Sequence, residues 1–449
     1  MAQLASVRVS PGAYFAAAAV STFASLLLLR AQNDLGALVI VTVTWTIVPL
    51  LVLTDRIHFD GRALSRRGFI AVVNRMIRGR ALGIALEDVE RVEVHALRTL
   101  RRGGSVRYRY RMEIAGNQQV LVFISGGANF RAMARCLLTR FPDAKLDARA
   151  LELRDHLVDP KAVRAEIKQL GIATTTVLDA SDLAERGKKR LSRRQSSKRD
   201  STAEDVERAR LLRNAANDLR VAGRLRESAE AFRRALLVTP QDGWLIFEYA
   251  RLLRSQAGTL EDARLLTRAA AALRLAGLRG CDDASLLERI GESFLEYGQS
   301  ERAKKAFRRA LEINEQSYRA QLGLAEAALS EGKLAHVIHH YNEAGRVAPD
   351  KATARMSRRE ADYYVLLSSD EDYLAAELRR MNWLQNVTRI QQFAGRVSFA
   401  SLLLALVGSS INQVIAGVGW ALASSSVIAW STSLIATRLL MTRRKEPAR

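Results

Sequence analysis

Hydrophobic residues run without interruption near both ends of the chain and alternate with charged residues in between. Gly12 to Leu29, Leu35 to Thr54 and Val397 to Thr437 hold no charged residue. A helix needs about 20 apolar residues to cross the ~30 Å hydrocarbon core of a bilayer. The first two stretches predict spans over about 12–29 and 35–54. Only Arg30 to Asp34 separates them, so residues 1–54 read as a transmembrane hairpin. The third stretch is about two spans long, so 397–437 reads as a second hairpin turning near Asn412 and Gln413. A short basic tail, 438–449, follows.

Between the hairpins the period changes twice. In 55–150, Val106, Tyr108, Tyr110, Met112 and Ile114 alternate with Arg107, Arg109, Arg111 and Glu113. Period two is the mark of a half-buried strand. Gly116-Asn117 predicts a turn and Val120 to Ile124 a returning strand. Val89, Val92 and Val94 predict another strand. Asn129 is placed to cap a helix over Phe130 to Arg140 with Phe130, Met133, Ala134, Leu137 and Leu138 on its apolar face. Strands closed by one helix, with the run Ile84 to His95, resemble the small pleckstrin-homology-like barrels of bacterial membrane proteins. That resemblance implies a small α+β barrel. Phe69, Ile70, Val73, Met76 and Ile77 share a helical face flanked by Arg66, Arg67, Arg75, Arg78 and Arg80. This fits a helix lying on anionic lipid headgroups, or equally a core strand with a basic loop.

From 205 to 350 a 34-residue pattern recurs. One copy carries Leu287, Ile290, Gly291, Phe294, Gly298, Ala303, Phe307 and Ala310; the next carries Leu324, Ala325, Gly332, Tyr341, Ala344 and Pro349. An earlier copy has Ala216, Leu219, Gly223, Phe232, Ala235 and Pro240, and a degenerate one keeps Gly258, Ala263 and Ala270. Small residues let two helices approach, Gly permits the turn and Pro stops the second helix. These copies resemble tetratricopeptide repeats, which implies a solenoid of stacked helix pairs. Residues 351–396 would add capping helices. The family also implies a protein-binding groove lined here by Arg213, Asn217, Glu248, Arg289, Glu292 and Glu326. Arg213, Asn217 and Arg289 resemble part of a carboxylate clamp, although Tyr249 and Ser285 depart from it.

The net charge of +22 raises the question of nucleic acid. Its distribution points elsewhere. Residues 55–150 hold 19 Lys and Arg against 9 Asp and Glu, but 203–350 hold 23 against 22. The excess lies close to the membrane in sequence, where anionic lipid attracts basic residues by about 1 kcal/mol each. The segment 151–204 reads as a flexible basic linker. Its run Arg186 to Arg199 has no aromatic side chains to stack on bases. Basic residues after the second and last spans, against the lone Arg30 in the turns, orient both termini and the soluble regions to the cytoplasm.

Cys136 and Cys281 have no paired spacing, so neither a disulfide framework nor a zinc site is expected. His336, His339 and His340 share a helical face and form the one candidate metal constellation; no acidic or thiol partner is clearly placed to complete it. No phosphate loop or catalytic motif occurs, and no cofactor is expected. The reading is a four-span membrane protein, with both termini at the cytoplasmic face of a bacterial inner membrane. Its repeats would dock protein partners as a scaffold or adaptor, without catalysis and without nucleic acid. A role in binding or handling lipid headgroups is the alternative, and a metal-dependent enzyme built on the histidines is a remote third.

Overall fold

The first strand lies before the N-terminal hydrophobic helices, not after them. In the computed structural model, which describes residues 5–9, 11–78, 83–100, 106–117, 119–125, 128–157, 165, 168–172 and 203–441, β1 (Ala5–Arg8) pairs antiparallel with β2 (Arg56–Phe59). Val7 lies opposite Ile57 and Ala5 opposite Phe59, and all four are buried. The β domain therefore begins at residue 5 and carries the hairpin as an insertion, whereas the sequence pattern placed its start at 55. β3 (Ala63–Arg67) and β4 (Gly83–Ala85) complete a four-stranded sheet. β4 is three residues long and leads into a 3-10 turn, Leu86–Asp88, which ends that ladder. β5 (Val89–Leu100), β6 (Val106–Gly116) and β7 (Gln119–Ile124) form a second, three-stranded sheet. Among the described residues the strands thus make two sheets, linked by the bridge Val9–Phe123, and not the expected closed barrel.

The helix α4 (Ala128–Leu138) starts before Asn129, so that residue is not its cap. Its buried face is the one the spacing predicts, and it packs on Phe59, Met112, Ile114 and Phe123. α3 (Phe69–Arg78) is a helix in the position where helix and strand were both open. A further helix, α5 (Ala148–His156), continues across the residue at which the linker was expected to begin. Asp147 caps it, accepting from Ala150 N at 2.6 Å.

The repeats fold as four helix pairs. They are α6 (Ala203–Val221) with α7 (Leu225–Val238), α8 (Gly243–Leu260) with α9 (Ala263–Arg279), α10 (Ala284–Glu296) with α11 (Ser300–Ile313), and α12 (Tyr318–Ser330) with α13 (Leu334–Arg346). α14 (Lys351–Ser369) follows. Gly298 and Gly332 turn the chain at φ 69° and 73°. In the degenerate pair Gly258 stays helical, and Glu261 makes the turn at φ 52°. Phe307 is fully buried, with Gly291 and Gly323 against its ring.

By its internal contacts the chain divides into two units, 1–10 with 53–361 and 11–52 with 362–449. The second contains α1 (Gly12–Arg30), α2 (Asp34–Thr54), α15 (Glu371–Ile411) and α16 (Gln413–Leu440). α2, α15 and α16 are long and apolar enough to cross a membrane; the apolar run of α1, Tyr14–Arg30, is shorter. α15 passes unbroken through residue 397, because nothing between Glu371 and Ile411 interrupts a helix more strongly than an isolated Gly. The chain breaks at Asn412, whose side chain accepts from Val414 N at 2.8 Å. Gly408 and Gly419 let α15 and α16 touch backbone to backbone, and Ser398 bonds Ser426 at 2.9 Å.

Candidate functional site

The first helix of each repeat presents polar residues on one face, and on α6, α8 and α12 this face meets the chain's own β domain. On α6, Arg213 donates two hydrogen bonds to Glu248 of α8, each 2.7 Å, and Asn217 Nδ2 donates a third at 2.7 Å. Burial opposes the charge on Arg213, but the bonds to Glu248 and the pull of Glu248 and Asp242 outweigh it, and its pKa rises. Three of the expected groove residues are therefore brought together and satisfy one another.

One turn along, the contacts cross to the β domain. Glu152 of α5 is gripped by Arg220 and by Arg251, the latter at 2.9 Å. His156 Nδ1 lies 3.0 Å from Asp218 Oδ1. Arg319 of α12 donates to the carbonyls of Asp143 and Leu146 at 2.8 and 2.9 Å and also pairs with Glu292. Lys145 meets Asp350 at 3.0 Å, and Arg355 and Arg359 of α14 reach Asp88 and Glu90 at 3.0 and 2.8 Å. Apolar contacts seal one end, where Val106 joins Leu212, Ala216, Leu219 and Phe232 in a single cluster. Tyr110 donates to Val221 O at 3.0 Å. The groove expected to stand open to partners is thus partly occupied in cis.

Two cavities remain on either side of the Glu152 bridge. One, of 480 Å³, is bounded by α5 and by Arg213, Asn217, Trp244, Phe247, Arg251 and Arg289. The other, of 760 Å³, is bounded by Arg98, Tyr108, Tyr110, Arg254, Glu296 and Tyr297. Burial holds Arg220 down to about 9, aided by Arg251, and burial holds Arg289 down to about 10. The protein crowded around Glu326 raises its pKa and Glu292 adds to that rise, although the residue itself is exposed; it makes no hydrogen bond or ion pair among the described residues.

The histidines do not assemble a ligand set. His340 Nδ1 sits 3.0 Å from Gln321 Oε1 and its ring packs edge-on to His339. Burial and the neighbouring His339 and His336 lower His340 to about 4. A grouping with metal-ligand spacing among the described residues is instead Glu93, His95 and Glu113. No sequence spacing signals it, because only the register of β5 against β6 places Glu93 opposite Glu113. Both carboxylates are already held, by Arg91 at 2.9 Å and Arg111 at 2.7 Å, and His95 is exposed. It reads as a surface ion-pair ladder.

Of the basic residues expected to face lipid, Arg66 is turned to other work. It binds Asp55, directly after α2, through Nε at 3.0 Å and Nη2 at 2.5 Å. Arg67 and Arg75 are exposed, while the Arg78 side chain and Arg80 lie outside the described residues.

Neither a protein-family model nor a curated protein matches the chain. Among solved structures it is similar to one titled "Crystal structure of MamA protein", at 15% identity and a TM-score of 0.26, over 38% of this chain and 95% of that one. A likeness at that score carries no argument; the repeat architecture rests on the helix pairs themselves.

Proposed function

We propose that the chain is a membrane-held scaffold whose tetratricopeptide-like repeats dock a protein partner beside a bacterial inner membrane, and that it performs no reaction. The supporting observation is the polar face running from α6 to α14. It is built of Arg, Glu and Asn in place of an apolar core, and the β domain covers only part of it. A partner that is itself membrane-bound would meet this face at millimolar effective concentration. In this reading α1, α2, α15 and α16 all cross the bilayer, and both termini lie in the cytoplasm. Proximity labelling from a tag in the repeats, in native cells, tests the docking role. A specific set of membrane proteins is expected, reduced when Glu292 and Glu326 are replaced by Ala. A set no different from that of a tag on the hairpins alone would refute it. A reporter at the carboxyl end that proved external would refute the topology.

A second reading is favoured by α3, on which Phe69, Val72 and Met76 are 53, 57 and 83% exposed beside the exposed Arg75. An amphipathic helix with this arrangement enters the headgroup layer of anionic lipid. Met76→Cys, labelled with a fluorophore in the full chain, would then be quenched by brominated lipid. Absence of quenching would remove this role.

A further inference from the structure

Every charged side chain on α9 is an arginine. The helix carries Arg264, Arg268, Arg274 and Arg279 and no acidic residue. All four are exposed, and none of their guanidinium groups has a hydrogen bond or ion pair among the described residues. The second helices of the other repeats hold carboxylates that pair with their own cations. On α7 Arg233 and Arg234 meet Glu230, on α11 Lys304 meets Glu301 and Arg309 meets Glu312, and on α13 Arg346 meets Glu343. The acids closest to α9 in sequence lie outside it. Asp262 and Asp283 accept from Arg264 N and Leu286 N as caps of α9 and α10, and Glu261 and Asp282 stand beyond its two ends. Ala269, Ala270, Leu273 and Ala276 form the buried face of α9. On the opposite face Ala271, Leu275 and Leu278 recur at helical spacing; Leu275 is 42% and Leu278 75% exposed. With 3.6 residues per turn, Arg268 and Arg279 border this stripe on one side and Arg274 on the other.

We propose that this face of α9 docks on the anionic headgroups of a phospholipid bilayer. Exposed leucines bordered by basic side chains enter the headgroup layer, and the arginine stems lie along the apolar stripe while their heads reach the phosphates. An acidic protein is the other occupant with the right charge, but it would need the arginines fixed in one geometry. No neighbour holds any of the four, so fixing them costs side-chain entropy. A headgroup layer is fluid and asks for no fixed geometry. The chain's α2, α15 and α16 are long and apolar enough to cross a membrane, so a bilayer is the anionic surface it is built to meet. This surface is separate from the polar face of the first helices, and the proposal does not rest on the docking role assigned to that face.

The test is electron paramagnetic resonance of the full chain in nanodiscs, with a nitroxide on Leu278→Cys and the natural thiols removed by Cys136→Ala and Cys281→Ser. The discs hold phosphatidylcholine alone, or with about 30% phosphatidylglycerol to supply a negative surface potential. A third sample keeps phosphatidylcholine discs and offers phosphatidylglycerol only in added vesicles. In at least one of the two anionic samples the label at 278 should become accessible to oxygen and shielded from an aqueous nickel chelate. A label at Glu312→Cys on α11, 61% exposed, should stay in water throughout. Arg268→Gln, Arg274→Gln and Arg279→Gln should each weaken the lipid contact about fivefold. Because these side chains are exposed and unpaired, circular dichroism should show the fold unchanged. A label at 278 that stays in water in every sample overturns the proposal, as does lipid contact indifferent to the arginines or to lipid charge. A label that stays in water, with fewer proteins marked by proximity labelling in the Gln variants, also overturns it and assigns the face to an acidic protein.

Discussion

Glu152 joins the β domain to the repeats, so Glu152→Ala is the most direct perturbation of that union. Its carboxylate is the shared partner of Arg220 and Arg251, whose side chains are 6 and 15% exposed against 14% for Glu152 itself. Removing one member of a buried pair leaves the other charge uncompensated, at about 3–5 kcal/mol. Two factors moderate this. Arg220 keeps a bond to Asn217 Oδ1 at 3.0 Å, and the flanking cavities give access to water. The expected loss is therefore about 2–3 kcal/mol, a large part of the roughly 5–15 kcal/mol typical of a domain. Urea unfolding of the full chain in nanodiscs, followed by circular dichroism, measures it. Hydrogen exchange should localise the loosening to Ala148–His156. Adding Arg220→Met should recover part of the loss, since one of the two orphaned charges is then gone. A change below about 0.5 kcal/mol, the range of ordinary surface substitutions, would refute the bridge as a structural contact.

Five further outcomes follow from the packing and the charges. Gly323→Ala gains up to about 1 kcal/mol of helix propensity but drives a methyl into the Phe307 ring, an overpacking worth about 1–3 kcal/mol, so unfolding should show a net loss; Phe307→Ala should lose about 3–5 kcal/mol. Gly223→Ala places a side chain against the Val106 carbonyl at φ 82°, so hydrogen exchange should rise in both β6 and α6. His340 is held at about 4 when folded, against an ordinary value of 6.5 for an unburied imidazole. The unfolded chain therefore binds the extra proton between these pH values, and stability falls as pH drops through that window. His340→Gln should flatten that part of the profile in parallel melts. Asp55→Asn removes the carboxylate charge paired with Arg66 and should loosen β2 and β3 in hydrogen exchange while leaving the repeats unchanged.

The repeats are legible because their information is local. Gly298, Gly332, Phe307 and the small residues recur at a spacing that only stacked helix pairs explain. Gly258 misleads for the same reason: it stands where a turn glycine belongs, yet α8 runs on past it and Glu261 takes the strained position. β1 is invisible, since four residues before a hydrophobic span show no period. The partly occupied groove is invisible for another cause. Arg319 meets Asp143 and Arg359 meets Glu90 across 176 and 269 residues of chain, and such contacts leave no periodic trace. The positions of Arg213, Asn217 and Arg289 on one face can be read in advance; what lies opposite them cannot.

The pairing of Ala5–Arg8 with Arg56–Phe59 has a consequence for how this protein is made. The ribosome must deliver the first strand well before its neighbour exists, and both hydrophobic helices emerge in that interval. In the proposed topology the leading segment waits, unpaired, on the side of the bilayer where the neighbour will appear. Were it exported during synthesis, the sheet would lose an edge strand that no later event could restore.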